Sequence, residues 1–530
     1  MSNVTITLNG NDLEVPAGAR LIDVIKEHGE EEVPHYCYHP GLSIAGSCRL
    51  CAVEVGNKDA EGNVKMMPKV MMSCQMNVSD GMIVNTHDDR SKQHRKEIME
   101  FLLINHPLDC PVCDQAGECY LQDYSYDHGQ AESRFIEDKI KQSKKQVGER
   151  ILLYGDRCIM CSRCVRFTRE ISGGAELMVN ERGNASEIDV FPGYGVNDNL
   201  AGNVVDLCPV GALLDTDFLF KQRVWELQGT DSVCTGCSRG CNIHIDQNMG
   251  VIYRLKPRYN PDVNEWWMCD EGRFGFKFVH ADTRLKKSRL PQIEVTAAEA
   301  LQRIKTLWRG QLDVNADARL AVVISPQASC EEQWLLAQWA RGESDAAILV
   351  RGPVFSKGQE QKFKAGFTVS PEKAPNRRGM EKVLAEMGGH QMNFGELAEA
   401  AASEQVHTIL VQGGYPWQDW CPPDITGKLR QADNLFVLDI FESELTRKAD
   451  VTLAGVSWAE KHGSFINDQD LQQKFNRALV PYTDDLDDLN MLWKLTGRDG
   501  EASLIAVRKE LSDPQAIANH SETDAVGAGS

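Results

Sequence analysis

Fifteen of the seventeen cysteines in this 530-residue chain lie before residue 270, in four spaced groups, and only Cys330 and Cys421 come later. Groups of this kind constrain a fold more than any hydrophobic period, because each must draw its loops around a shared ligand. The opening string MSNVTITLNGNDLEVPAG has neither the charged-then-apolar order of a signal peptide nor the Arg-rich bias of a transit peptide, so a cytoplasmic protein is expected. Reducing cytosol does not sustain disulfides, which leaves metal ligation as the expected use of the thiols. A formal net charge of −20 argues against nucleic acid as a partner, since such binders gather Lys and Arg against phosphates. No apolar run approaches the roughly 18 residues of a membrane-spanning helix.

The first group is Cys37, Cys48, Cys51 and Cys74, a Cys-x-x-Cys core with one cysteine before it and one after. A loop bearing three thiolates can wrap a small iron–sulfur cluster while a fourth pins it to a sheet. Plant-type ferredoxins have four residues between their first two cysteines, whereas here there are ten, YHPGLSIAGS. A 2Fe–2S cluster is expected, with zinc or buried free thiols as the alternative. The second group is Cys110, Cys113 and Cys119, with His106 just ahead in HPLDCPVCDQAGEC. Three thiolates leave one iron open. Spacing alone leaves His106 as its ligand, His106 as an ordinary residue, and a zinc site of three cysteines and one histidine all open.

The third group is Cys158, Cys161 and Cys164, joined by Cys208-Pro209. This run with a distant Cys-Pro points to one 4Fe–4S cluster, because NLAGNVVDLCP holds a single cysteine where a two-cluster ferredoxin would repeat the whole run. The fourth group, Cys234, Cys237, Cys241 and Cys269, matches either a 4Fe–4S cluster or structural zinc.

The length calls for several domains, expected as multi-domain α+β followed by α/β. Alternation at Val4, Ile6, Leu8, then Leu13 and Val15, around Asn9-Gly10, predicts a hairpin. A helix is predicted over LIDVIKEHG, short strands over AVEV and KVMM, and an amphipathic helix over residues 88–105. DKIKQSKKQVGER looks like a linker. Beyond residue 290 the apolar runs LAVVIS, AAILVRG, HTILVQGG and LFVLDIF alternate with helical stretches such as CEEQWLLAQWAR, which predicts βαβ units and parallel sheet. The polar tail 513–530 is expected to be disordered.

In this order the four groups resemble the large multi-cluster iron–sulfur subunit of bacterial complex I, the proton-pumping NADH:quinone oxidoreductase. The strings that carry the resemblance are HYCYHPGLSIAGSCRLCAVEV, INHPLDCPVCDQAGECYLQD, RCIMCSRCVRF, GNVVDLCPVGAL, VCTGCSRGCNI and MCDEGRFGFKFV, within about the first 275 residues. The resemblance implies a β-grasp 2Fe–2S ferredoxin-type domain over 1–85 (Cys37, Cys48, Cys51, Cys74) and a 4Fe–4S domain with one histidine ligand over 86–125 (His106, Cys110, Cys113, Cys119). It further implies all-cysteine 4Fe–4S domains over 145–222 (Cys158, Cys161, Cys164, Cys208) and 227–283 (Cys234, Cys237, Cys241, Cys269). The fourth cluster is not present in every member, and all four of its ligands are here.

Residues 284–512 resemble, through SPQASCEEQWLLAQWARG and ADVTLAGVSWAEKHGSFIND, an abridged molybdopterin-oxidoreductase-like α/β domain. No pterin is expected there. Cys330, at a helix start, reads as a small buried side chain. The resemblance implies an electron relay with no catalytic acid–base pair of its own. It would stand in a hetero-oligomer between a flavin subunit that oxidises NADH and the quinone-module subunits, coupled there to proton translocation. Its expected place is the cytoplasmic face of the bacterial inner membrane, as a peripheral subunit. The Cys37 and Cys158 clusters would come early on the route and the His106 cluster at its exit. A molybdenum or tungsten formate dehydrogenase would need a full pterin domain and a metal-binding Cys or selenocysteine. An iron-only hydrogenase would need more downstream cysteines than Cys330 and Cys421.

Overall fold

The structure is a computed structural model that describes residues 2–30, 32–58, 61, 63–483 and 485–512. The tail 513–530, expected to be disordered, lies outside the described residues. The chain divides into two compact units, residues 1–227 with 362–367, and residues 228–361 with 368 onward. The fourth cysteine group therefore folds with the C-terminal sheet. Among the described residues no helix is long and apolar enough to cross a membrane.

The first unit opens with the predicted hairpin, Asn3–Leu8 against Asn11–Pro16, turned through Asn9 and Gly10 at φ of 49° and 88°. Two successive residues with positive φ match the strand twist, which is why Asn-Gly serves at this turn. Asn3–Leu8 also pairs in parallel with Met82–Asn85, which continues the sheet to Ala52–Lys58 and Val64–Met66. The helix Leu21–His28 buries Leu21, Ile22, Val24 and Ile25 against Ile6, Val53, Val55 and Val84. Burying each such side chain contributes about 1.5–3 kcal/mol. KVMM forms only the two-residue strand Met71–Met72. The amphipathic segment is the helix Asp89–Leu103, capped by Asp88, whose carboxylate accepts from the Ser91 amide at 2.9 Å.

The reading of DKIKQSKKQVGER as a linker is corrected in part: Lys144–Gln146 forms a strand paired antiparallel with Ile151–Tyr154. Its polar side chains hid it, because an edge strand draws its hydrogen bonds from a partner's backbone whatever its side chains are. Lys145 fastens it further, 2.7 Å from Asp189.

In the second unit, Gln228–Val233, Asn242–Asn248 and Val251–Pro257 form an antiparallel sheet beside the fourth cysteine group. The larger sheet has eight strands. Six, from Val451–Ala454 through Asn434–Asp439, Thr408–Gln412, Leu320–Ile324 and Ile348–Arg351 to Gln391–Asn393, are parallel. Ser288–Leu290 and Ile293–Val295 extend one edge antiparallel. Alternation along Leu320–Ile324 sends Leu320, Val322 and Ile324 into a core with Trp308, Leu336 and Trp339, and Ala321 and Val323 into another with Leu397, Ala401 and Leu429. Helices therefore cover both faces, as the nearly continuous apolar runs require. Cys330 begins the helix Cys330–Glu343 behind a capping box of Ser329 and Glu332.

Candidate metal centres

The first group sits on the irregular segment between the helix Leu21–His28 and the strand Ala52–Lys58, with Cys74 supplied by the 3-10 turn Ser73–Gln75. Cys37, Cys51 and Cys74 are buried and Cys48 is half-buried. Their thiols meet: Cys37 hydrogen-bonds with Cys48 and Cys74, and Cys51 with Cys74. These contacts hold the Cys37 thiol far below its ordinary range and, together with burial, push Cys48 and Cys74 up.

The second group lies on a short 3-10 turn, Cys110–Val112, and at the N-terminus of the helix Tyr120–His128. His106, Cys110 and Cys119 line one cavity of about 470 Å³ with Leu103, Ile104 and Lys139. Burial, aided by the positive charges of Lys139 and Arg157, pushes His106 down to about 4, so its imidazole is neutral at pH 7 and keeps a lone pair to offer. Cys113 is buried, and burial pushes Cys119 up to about 11.

The third group shares one apolar cavity: Cys158, Cys161, Cys164 and Cys208 line it with Leu153, Ile159, Ile188 and Leu213. Met160 and Ser162 take positive φ of 52° and 58°, which turns the backbone between successive cysteines. Burial pushes Cys158 up to about 12 and Cys161 to about 11.

In the second unit, Cys234, Cys237, Cys241 and Cys269 are all buried, and the Cys234 amide donates to the Cys241 carbonyl at 2.8 Å. Cys269 caps the helix Asp270–Arg273, accepting from the Gly272 amide at 3.3 Å. A cavity of about 370 Å³ adjoins Cys234, lined by Phe355, Trp417 and Trp458 and by Lys373, which pairs with Glu271 at 2.8 Å. The remaining cysteines have local roles: Cys330 donates to Asn376 at 3.4 Å, and Cys421 accepts from Thr426 at 3.3 Å.

The donor sets fit iron–sulfur clusters. Thiols that burial raises, such as Cys119, Cys158, Cys161 and Cys234, become stable thiolates only beside compensating positive charge, which cluster iron would supply. Amides already point at sulfur, from Met160 to Cys158 and from Gly236 to Cys234, each at 3.4 Å. Two close approaches require glycine: a Cβ on Gly211 would lie 2.2 Å from Cys113 Sγ, and one on Gly272 2.8 Å from Cys234 Sγ.

Sequence reasoning overlooked three buried arginines beside these groups. Arg157 donates to Asp109 at 2.8 Å and to the Gly211 carbonyl at 3.4 Å, spanning the second and third groups. Arg163 and Arg166 flank Cys164. Their signal was present in GDRC and SRCVRF, but charged residues beside cysteines ordinarily read as solvated.

Four family models match, in chain order. A 2Fe–2S iron–sulfur cluster binding domain matches residues 1–89, and the NADH-ubiquinone oxidoreductase-G iron–sulfur binding region matches 95–134. The ferredoxin-like domain of NADH-quinone oxidoreductase subunit 3 matches 148–214, and the NADH-ubiquinone oxidoreductase NDSU1/NuoG-like 4Fe–4S domain matches 227–277. The chain is 38% identical over 304 residues to the G subunit of the NADH-quinone oxidoreductase of Rickettsia felis, covering 57% of this chain and 44% of that protein. It is 43% identical over 271 residues to the NADH-ubiquinone oxidoreductase 75 kDa subunit of Reclinomonas americana, covering 51% of this chain and 38% of that one. The mitochondrial NADH dehydrogenase [ubiquinone] iron–sulfur protein 1 of Solanum tuberosum is 38% identical over 314 residues, covering 59% and 40%. Each likeness thus spans less than half of the relative's length. A chain of an NAD+-reducing [NiFe]-hydrogenase matches at 28% identity over 42% of this chain and 91% of that one, with a TM-score of 0.36. With 2Fe–2S and 4Fe–4S binding domains matched in this order, the chain is similar, over residues 1–277, to the NuoG-like iron–sulfur subunits of NADH-quinone oxidoreductase.

Proposed function

We propose that this chain is the electron relay of an NADH:quinone oxidoreductase, holding one 2Fe–2S and three 4Fe–4S clusters. Cys37, Cys48, Cys51 and Cys74 hold the first. His106 with Cys110, Cys113 and Cys119 holds the second, Cys158, Cys161, Cys164 and Cys208 the third, and Cys234, Cys237, Cys241 and Cys269 the fourth. The proposed domains follow these sets, over 1–85, 86–125, 145–222 and 227–283, with a molybdopterin-oxidoreductase-like scaffold over 284–512 that carries no pterin.

Bound clusters would supply one-electron chemistry, passing electrons from the Cys37 and Cys158 sites towards the His106 site. The residues exclude water, fix the sulfurs and set the local charge. The observation that supports this reading is that the thiols of four separately spaced groups are buried or half-buried, all but Cys110, with three of the groups within one unit. The exposed apolar side chains Leu108 and Tyr126, which line the His106 cavity, favour a partner surface at that end. The partners in this reading are a flavin subunit that oxidises NADH and quinone-module subunits. The assembly is a hetero-oligomer, peripheral on the cytoplasmic side of the bacterial inner membrane and coupled to proton translocation.

The test is stepwise reduction of the anaerobically purified full-length chain, followed by electron paramagnetic resonance. One slowly relaxing 2Fe–2S signal and faster-relaxing 4Fe–4S signals should appear and vanish on reoxidation. A spectrum silent at every potential would contradict the relay.

A further inference from the structure

Arg163 and Arg166 stand on either side of Cys164 on the short helix Arg163–Phe167, and their side chains are 5% and 7% exposed. Each guanidinium reaches towards two cysteine groups. From Nη2, Arg166 donates to the carbonyl of Cys37 at 2.5 Å and to that of Cys161 at 3.3 Å, while its Nη1 donates to the Ser43 carbonyl. Arg163 donates to the Tyr38 carbonyl and, at 3.4 Å, to that of Leu207. Cys37 and Cys161 are ligand candidates of different groups, and Tyr38 and Leu207 adjoin Cys37 and Cys208. The Ser43 amide is held in turn by Glu170 at 2.9 Å.

A buried guanidinium is costly unless its donors are satisfied, and its planar fork can serve several carbonyls at once where an ammonium acts as a point charge. Carbonyl partners carry no full charge, and the negative groups acting on the Arg166 guanidinium are Cys161 and Cys37 first, then the Glu170 carboxylate. Positive charge stabilises a cluster more after it has gained an electron than before, which raises its potential.

We propose that Arg166, with Arg163 beside it, is the positioning residue that joins the Cys37 and Cys158 sites. Its Nη2 links the main chain of a ligand at one site to that of a ligand at the other, and its charge raises both potentials together. When one electron passes, one site is oxidised and the other reduced by that electron, and the guanidinium gains and loses nothing. The inference rests on the cluster assignment proposed above.

The test uses full-length, cluster-loaded chain carrying Arg166→Met or Arg166→Lys. Iron and sulfide content, the midpoint potential of each paramagnetic signal, and the dipolar interaction between the two reduced sites are measured. Arg166→Met should keep its iron and sulfide, lower both potentials by the equivalent of about tenfold in the one-electron equilibrium constant, about 59 mV, and broaden the distribution of separations. Arg166→Lys should restore the potentials but not the narrow separation. Movement of only one potential or of neither, or equal shifts in Met and Lys variants, would overturn the proposal. Should Arg166→Met lose iron, Arg166→Lys decides alone: near-native potentials with a broadened separation support the link, and a native separation overturns it. A wild-type chain with little iron and sulfide would instead contradict the cluster assignment, and the link with it.

Discussion

His106 differs from the fifteen cysteines around it in being neutral when it ligates. Exchanging imidazole for thiolate adds a negative charge to the ligand set and favours the oxidised state. His106→Cys is therefore expected to retain a cluster with a lower midpoint potential in a redox titration, whereas an unchanged spectrum and potential would show that His106 is not a ligand. Far from the cysteines, Asp439 ends its strand 1% exposed, accepting from the amides of Gly414 (3.0 Å) and Ile440 (2.7 Å) and from Trp420 Nε1 (2.8 Å). Burial, with Asp488 adding repulsion, pushes its carboxyl up to about 6 from 3.8. The folded value lies above the unfolded one, so this stabilisation is full below about pH 4 and lost as pH rises through 6. Between pH 4 and 7 wild type should lose about 2 kcal/mol relative to Asp439→Asn, read by urea unfolding followed by tryptophan fluorescence. A pH-independent difference would contradict it. At this scale the ligand candidates were legible because spacing marks them. Arg157, Arg163 and Arg166 were not, because their partners are backbone carbonyls that no side-chain pattern records.

Elements carry the next layer of constraint. The segment after Cys208 passes so close to the second group that Gly211 has no room for a methyl group against Cys113 Sγ. Gly211→Ala should therefore displace Cys113 and lower iron content by about four per chain, with the 2Fe–2S signal kept. Full iron would mean that the loop yields instead. The hairpin about Asn9-Gly10 and the six parallel strands were legible from period-two alternation and short apolar runs. Lys144–Gln146 was not, since its polar sequence carries neither signal, and KVMM overstated a strand that pairs over two residues. The grouping of Cys234 to Cys269 with the C-terminal sheet was equally hidden. Contacts such as Asn242 with Gln473 and Arg239 with Thr368 join residues more than a hundred positions apart.

At the scale of the whole chain, the cysteine strings identified the iron–sulfur region, and the likeness to the Rickettsia felis subunit spans 44% of that protein's length. The fold physics agrees with that reading: three cysteine groups are concentrated in one unit, and buried guanidiniums bridge the first to the third and the second to the third. The most direct test of the central claim is the metal and acid-labile sulfide content of the anaerobically purified chain. The account predicts about 14 iron and about 14 sulfide per chain, with no molybdenum or tungsten. Zinc with little sulfide would contradict the redox reading outright, and about one molybdenum or tungsten per chain would contradict the scaffold role of residues 284–512.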